Sequence, residues 1–212
     1  MVNGFRIAPG GAQEHFGIRA DIALYGKTIG GGLPVGVIAG KAEYLDYIDG
    51  GYFQFGDDSL PGGDAIVFGG TFCRHPFAME AVNAVAEFML SEGPALQERV
   101  NRLAAMLADD INLWFQEEAV PLRIARFGSQ FKFDSFGPWS PLANPLELDL
   151  FFMQMVDAGV YIWERRTCCL SVFHTEDDIR TIIDAIKNAV KRLREGGFPF
   201  RLEHGAPEQF HE

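Results

Sequence analysis

One lysine occupies a position in this sequence that suggests covalent chemistry. Lys27 follows the short apolar stretch Asp21–Tyr25, which we predict to be a strand, and Gly30–Gly32 comes shortly after it. This order places an amine at the carboxyl end of a strand, where α/β proteins commonly bind ligands. An amine there can form a Schiff base with a carbonyl group if burial or a neighbouring cation lowers its pKa. Its position alone also fits an ordinary surface lysine before a turn.

A second candidate is a glycine-rich segment that could hold an anion. Gly70 and Thr71 lie shortly before Pro76, where we predict that a helix begins. Open backbone N–H groups at the start of a helix attract a dianion such as phosphate. Thr71 could equally be an ordinary capping residue. We expect Gly30–Gly32 to shape the surroundings of Lys27 rather than to hold phosphate.

The remaining chemically capable residues have plainer interpretations. We predict that Cys168 and Cys169 serve packing rather than redox chemistry. Arg6 could meet a substrate carboxylate, although pairing with an acidic neighbour is the commoner role. Arg166 could clamp a carboxylate with both guanidinium arms or simply lie at a solvated strand end. Three histidines lack the spacing of metal ligands, so we expect no metal: His15, His75 and His174.

The composition excludes several classes of partner. Lys and Arg number 18 against 29 Asp and Glu, which gives a net charge of −11. Such a surface repels nucleic-acid phosphates and anionic lipid, so we expect neither as a partner. No apolar run approaches the ~20 residues of a membrane span, and the start of the sequence has no signal-peptide pattern. The three cysteines are too few for a disulfide framework, which favours a cytoplasmic protein.

The elements that must position these residues indicate an α/β chain in two parts. We predict a glycine-rich first part over residues 1–92, a connecting helix with a smaller α/β domain over 93–198, and a tail or linker over 199–212. The predicted helices cover Lys41–Ile48, Pro76–Met89, Pro94–Glu117, Pro145–Ala158 and a final helix capped by Thr175 and Asp178. The predicted strands are Asp21–Tyr25, Leu33–Ala39, Ile66–Phe68, Arg123–Phe127, Gln130–Phe133, Val160–Trp163 and Cys168–Val172. The helix after Pro76 has little polar face, so we expect it to be buried.

The sequence around Lys27 resembles that of a known family. Tyr25–Gly36 reads Tyr-Gly-Lys-Thr-Ile-Gly-Gly-Gly-Leu-Pro-Val-Gly and closely resembles the cofactor-lysine segment of class III aminotransferases, which are pyridoxal-phosphate enzymes of fold type I. The likeness continues at Gly4–Arg6 and Phe68–Pro76 and covers nearly the whole chain up to Phe198. Within the family it is similar to glutamate-1-semialdehyde aminomutase. It is closer to the aminotransferase domains of polyketide and nonribosomal-peptide assembly lines, on the segments 56–59 and 161–168.

The resemblance implies a fold and a reaction. The chain would be the C-terminal portion of a large cofactor-binding domain followed by a small α/β domain. Lys27 would form a Schiff base with pyridoxal 5'-phosphate and then carry a proton, while Gly70 and Thr71 would contact the phosphate. In the family this threonine comes from the neighbouring subunit, which implies a homodimer with shared active sites. The substrates would be an amino-acid donor and a keto or aldehyde acceptor.

The resemblance also leaves alternatives open. The acceptor could be a β-keto acyl chain on a carrier protein, or the enzyme could be a glutamate-1-semialdehyde 2,1-aminomutase. The Asp that pairs with the cofactor's ring nitrogen in the family would lie just before Met1, so we expect a truncated chain that is inactive alone. A non-catalytic dimerisation or interaction remnant is the alternative of another class. The family pattern has glycine near Arg165, which is a departure.

Overall fold

The computed structural model of the chain describes residues 4–48, 56, 58, 66, 68–139, 145–163 and 165–202. The chain divides into two units, Met1–Gln97 and Glu98–Glu212. The helices are α1 Gly11–Phe16, α2 Ala42–Leu45, α3 Pro76–Glu92, α4 Ala95–Glu117, α5 Leu146–Asp157 and α6 Glu176–Glu195. The strands are β1 Ile22–Gly26, β2 Gly36–Gly40, β3 Leu122–Phe127, β4 Gln130–Ser135 and β5 Cys168–Cys169. Short 3₁₀ turns cover Lys27–Gly30, Asp46–Ile48 and Gly137–Trp139.

The first unit is built around one antiparallel strand pair. β1 and β2 pair with Tyr25 opposite Val37 and Gly26 opposite Gly36. Both strands overlap the regions predicted from the sequence, and each ends one residue later than predicted. β2 begins later than predicted because the chain before it still forms the turn in which the Leu33 N–H bonds to the Gly30 carbonyl at 2.9 Å. The predicted strand at 66–68 does not appear at Ile66 or Phe68, and residue 67 lies outside the described residues.

Helix α3 begins as predicted but is not buried. Pro76 occupies its first turn, where the missing N–H costs no hydrogen bond. Within the described part of the chain, Ala78 is the only buried residue of the helix. Phe77 and Leu90 are 75% and 83% exposed. The prediction of a buried helix is therefore wrong for this chain, because only one side of α3 lies against the turn that follows β1.

The second unit has a continuous hydrophobic core. Its three-stranded antiparallel sheet has the order β3-β4-β5. Phe133 of β4 meets Phe151 and Phe152 of α5 with ring centroids 5.5 and 5.9 Å apart. The predicted apolar stripe of α4 supplies buried residues of this core, which confirms the helical period: Val100, Leu103, Leu107 and Ile111.

The start of α6 carries the predicted capping box. The Asp178 N–H donates to the Thr175 hydroxyl at 3.3 Å, and the Thr175 N–H donates to the Asp178 carboxylate at 2.8 Å. Two orphan N–H groups of the helix start are thereby satisfied. The carboxylate's hydrogen bonds with Thr175 lower the pKa of Asp178.

The chain around β5 forms less strand than predicted. Residues 160–163 are not a strand, because the Val160 N–H closes the end of α5 on the Met155 carbonyl and the Trp163 carbonyl accepts a turn bond from Arg166. β5 itself is limited to Cys168–Cys169. Apolar composition favoured strands there, but a strand needs a neighbouring ladder as well.

The first residues of the tail predicted over 199–212 pack against the second unit. Phe200 is fully buried and meets the Trp139 ring edge to face, with ring centroids 5.9 Å apart. The Leu202 N–H bonds to the Ala119 carbonyl at 2.8 Å. The second unit therefore includes residues through Leu202, and the rest of the predicted tail lies outside the described residues. Among the helices described, none is long and apolar enough to cross a membrane.

Candidate functional site

Lys27 stands where β1 ends, in an unusual backbone conformation. Its φ angle is +55°, in the left-handed region, and it is the first residue of the 3₁₀ turn Lys27–Gly30. A side chain in this region costs roughly 1–2 kcal/mol relative to the right-handed one. Such strain persists only when the surrounding structure determines it, and it is common at functional sites. The side chain of Lys27 is exposed, so its amine is accessible.

The strand that leads to Lys27 is braced from the start of the chain. The Phe5 ring lies 5.1 Å from the Tyr25 ring, centroid to centroid, and the Gln13 amide donates to the Tyr25 hydroxyl at 2.9 Å. The Gln97 side chain donates to the Phe5 carbonyl at 3.2 Å. Tyr25 is therefore held on two sides, two residues before the lysine.

A side chain would be unfavourable at each of the residues Gly30–Gly32, but for different structural reasons. A Cβ at Gly30 would lie 2.6 Å from the Val35 side chain. A Cβ at Gly31 would lie 3.0 Å from Val85 of α3, and Gly31 also has a φ of +58°. Gly32 has a φ of +98° with open space around it. Gly30 and Gly31 thus let the lysine turn approach its neighbours closely, whereas Gly32 allows a positive φ.

The residue after Lys27 carries an unpartnered hydroxyl. Among the described residues, no group forms a hydrogen bond with the buried Thr28 Oγ1. Burying a hydroxyl without a partner costs about 1–3 kcal/mol. An orphan polar atom beside the candidate lysine is a feature that the sequence did not predict.

Gly70 and Thr71 line a separate pocket of about 700 Å³. Its other walls are β2 and the first turns of α3, including Ala78 and Val82. The Cys73 N–H bonds to the Gly70 carbonyl at 3.0 Å, which turns the chain towards α3. The residue before α3 does not cap the helix with its side chain, so N–H groups of the first turn stay available to an anion.

Arg74 and His75 also line this pocket, and neither was predicted from the sequence as a site residue. Arg74 has a φ of +56° and brings a cation to the pocket that contains Thr71. Their position directly before Pro76, which starts a helix, is the feature of the sequence that could have indicated them. Lys27 is not among the residues that line this pocket. Within one chain, Gly70 and Thr71 therefore line the same pocket, and Lys27 lies outside it.

The remaining candidates have local partners. Arg165, at a φ of +54°, forms an ion pair with Asp149 at 2.6 Å. The Arg166 guanidinium lies over the Trp163 ring, 5.5 Å from its centroid. A left-handed backbone at 165 suits glycine, which is consistent with the family pattern expected there.

The described histidines and the three cysteines have local contacts of their own. His174 accepts a backbone hydrogen bond from Ser171 at 3.0 Å. Burial raises the pKa of the Cys168 thiol, whereas Cys73 and Cys169 are exposed thiols. Among the described residues, no group of three or more potential metal ligands comes together.

Comparisons with known proteins relate this arrangement to a single family. A family model described as "Aminotransferase class-III" matches residues 9–190. The glutamate-1-semialdehyde 2,1-aminomutase of Archaeoglobus fulgidus is 30% identical over 198 residues, which are 90% of this chain and 44% of that protein. An omega-transaminase from Sphaerobacter thermophilus superposes with a TM-score of 0.74 at 26% identity, over 90% of this chain and 43% of that one. A solved transaminase with PLP bound shares the fold with a TM-score of 0.75 at 20% identity, over 92% and 44%. The chain thus spans less than half the length of these relatives.

Proposed function

We propose that this chain, which belongs to the class III aminotransferase family, is part of an enzyme that moves an amino group with the help of pyridoxal 5'-phosphate. The family match and the transaminase fold confirm the resemblance predicted from residues 25–36. We assign Lys27 as the residue that binds the cofactor covalently and Gly70 and Thr71 as residues that bind its phosphate. The observation that carries the proposal is Lys27 itself, held in a left-handed backbone at the end of β1.

The described residues suit the two reactive ends of this cofactor. Its aldehyde needs an accessible primary amine, and Lys27 supplies one on a braced turn. Its phosphate needs hydrogen-bond donors and positive charge. The pocket around Thr71 offers a hydroxyl, the Arg74 guanidinium and the free N–H groups at the start of α3. Because Lys27 does not line that pocket, we propose that each cofactor takes its lysine from one subunit and its threonine from the other, in a homodimer with shared sites.

The proposed chemistry assigns two tasks to Lys27. When bound, pyridoxal phosphate supplies a conjugated ring that stabilises negative charge on the adjacent substrate carbon. The Lys27 amine fixes the position of the group at the end of β1. Once the substrate amine has displaced it, the free Lys27 nitrogen can accept the proton from the substrate carbon and return it at another atom. Such a transfer requires contact at hydrogen-bond distance, which explains the need for a rigid turn.

The phosphate-side residues bind and orient rather than react. Thr71 and the N–H groups of the first turn of α3 hold a dianion by hydrogen bonds and by the positive end of the helix dipole. Arg74 adds charge attraction at the pocket wall. Fixing the cofactor at both ends limits its rotation, which keeps the substrate carbon beside Lys27.

For the substrates, we propose an amino-acid donor and a keto or aldehyde acceptor. A β-keto acyl chain on a carrier protein is the acceptor favoured by segments 56–59 and 161–168. The alternative is a glutamate-1-semialdehyde 2,1-aminomutase, and the 30% identity with the Archaeoglobus enzyme favours it. A cytoplasmic location, supported by the free thiols Cys73, Cys168 and Cys169, belongs to the same proposal.

Trapping the lysine tests the covalent assignment. The protein that carries this chain is incubated with pyridoxal phosphate, reduced with borohydride, digested and examined by mass spectrometry. We expect the phosphopyridoxyl group on the peptide that contains Lys27 and its loss in Lys27→Ala. The matched control is Lys41→Ala, which removes an exposed lysine of the same unit whose amine pairs with Asp21. Labelling at Lys41 instead, or equal labelling of both variants, would contradict the assignment.

Two further measurements separate the alternatives. An aminomutase rearranges glutamate-1-semialdehyde without a second substrate, whereas an aminotransferase needs both a donor and an acceptor. Product formation from the semialdehyde alone would therefore replace the aminotransferase proposal with the aminomutase one. For a non-catalytic module, pyridoxal phosphate would leave the melting temperature unchanged, because a ligand that does not bind the folded state cannot stabilise it.

A further inference from the structure

We propose that the contact between Gly31 and Val85 of α3 determines where the Lys27 amine stands, so that Gly31 and Val85 are positioning residues. This inference rests on the proposed role of Lys27. It concerns a contact between two segments far apart in the sequence, the lysine turn and the middle of α3.

A side chain at residue 31 would crowd this contact. An ideal Cβ on Gly31 would lie 3.0 Å from the Val85 Cγ2 and 3.9 Å from the Ala81 Cβ. Real Cβ atoms rarely approach a neighbour at 3.0 Å, so either Val85 or the turn would have to move. Valine in a helix has one strongly preferred rotamer, and it cannot rotate away at little cost. A Cβ at residue 31 would therefore push the turn off α3.

The turn is short enough to transmit that displacement to the lysine. Gly31 is bonded to the turn through its N–H, which donates to the Thr28 carbonyl at 3.2 Å. The intervening Ile29 and Gly30 are buried, and Gly30 is itself packed against Val35. The four residues Lys27–Gly30 thus form one compact unit with little freedom to absorb a shift. Lys27 lies at its other end, in a left-handed backbone.

Helix α3 also borders the pocket assigned to the phosphate. Ala78 and Val82, one and two turns into the helix, line the pocket that contains Gly70 and Thr71. Within each chain, α3 therefore contacts the lysine turn and lines the phosphate pocket. Because the cofactor bound by Lys27 would have its phosphate in the partner subunit's pocket, moving the turn within its own chain would change the distance at which the amine meets the aldehyde. Misplacement by about 1 Å can slow a reaction by roughly 100-fold.

The glycine run contains its own matched control. Gly31 and Gly32 both have positive φ angles, +58° and +98°, but nothing lies within 4 Å of a Cβ at Gly32. Gly32→Ala thus introduces backbone strain without the contact, whereas Gly31→Ala introduces both. We measure the rate at which pyridoxal phosphate is trapped on Lys27, per mole of folded protein, as a function of pH. Because relief of the contact needs a shift of only a few tenths of an ångström, we expect Gly31→Ala to lower this rate by several-fold. We expect Gly32→Ala to lower it less.

Rescue distinguishes positioning from general damage. Val85→Ala in the Gly31→Ala background restores space at the contact, so we expect it to recover most of the trapping rate. The pH profile of the recovered rate should match that of the wild type. If Gly31→Ala fails to fold, Val85→Leu crowds the same contact from the helix side with glycine intact, and we expect it to slow trapping.

The outcomes that overturn the inference are distinct from failure of the proposed function. Equal trapping rates in Gly31→Ala and Gly32→Ala, no recovery with Val85→Ala, or an unchanged rate in Val85→Leu would each refute the positioning role. A wild-type protein that gives no label on Lys27 would instead refute the function of Lys27, and the positioning role with it.

Discussion

The hydroxyl of Thr28 should make the protein less stable than it could be. Its Oγ1 is buried without a hydrogen-bond partner among the described residues, and it directly follows the candidate lysine. Valine has nearly the same shape and replaces the hydroxyl with a methyl group. Because an unsatisfied buried hydroxyl costs about 1–3 kcal/mol, we expect Thr28→Val to raise the free energy of unfolding by about 1 kcal/mol or more. For a chain of this size, that corresponds to a rise in melting temperature of roughly 2–4 °C per kcal/mol.

Urea unfolding of the cofactor-free protein measures the effect, with Thr28→Ser as the matched control. Serine keeps the hydroxyl but removes a methyl group, so we expect it to lower the free energy of unfolding by about 1 kcal/mol. The reasoning is refuted if Thr28→Val is less stable than the wild type. In that case the hydroxyl has a partner worth more than its burial costs.

Four further perturbations follow from contacts elsewhere in the chain. Thr175→Ala removes the hydroxyl that accepts from the Asp178 N–H and leaves the bond from the Thr175 N–H to the Asp178 carboxylate in place. Urea unfolding should therefore show a loss of about 1 kcal/mol, and no loss would mean that the hydroxyl contributes nothing to the cap. The hydrogen bonds with Thr175 lower the pKa of Asp178 below 3.8. The stability that this carboxylate contributes is present above pH 3.8 and is lost as the pH falls through the lowered pKa. In Asp178→Asn, the free energy of unfolding should therefore decline less steeply in acid. Burial raises the pKa of Cys168, so iodoacetamide at neutral pH should modify the exposed Cys169 before it modifies Cys168. Peptide mapping that finds Cys168 modified before Cys169 would contradict this. Arg165→Gly removes the strain of a left-handed backbone, which costs about 1 kcal/mol. It also removes the partly exposed ion pair with Asp149, which contributes up to about 1 kcal/mol. The two effects nearly cancel, so the melting temperature should hardly change.

Hydrophobic periodicity predicted the helices of the second unit because their partners lie in the same unit. The stripe of α4 from Val100 to Ile111 meets the sheet and the other helices, and these residues are nearly inaccessible to solvent. The same reasoning gave the wrong burial for α3. Phe77 and Leu90 are as apolar as the residues of α4, but nothing in a residue's type states which surface it will contact. Periodicity therefore predicts an element and its apolar face, and it does not predict whether that face is covered.

The strand predictions show a related limit. Leu122–Phe127 and Gln130–Ser135 pair with each other through a tight connection, so alternation along the sequence was enough to predict them. Residues 160–163 have strand-like composition, but their backbone groups bond to the end of α5 and to a local turn. A strand exists only where another strand offers its hydrogen-bonding groups, and a single segment does not contain that information.

Some features of the candidate site were predicted from the sequence, and others are visible only in the structure. The position of Lys27 between a strand and a glycine run made it a candidate, and the family resemblance of residues 25–36 assigned it to the cofactor. They did not predict its left-handed backbone, since lysine has no preference for that region. The contact of Gly31 with Val85 and the unpartnered hydroxyl of Thr28 arise only when distant segments meet. The sequence thus indicates which amine could react, whereas the fold determines how firmly that amine is held, and a reaction that depends on proton transfer at fixed geometry needs both.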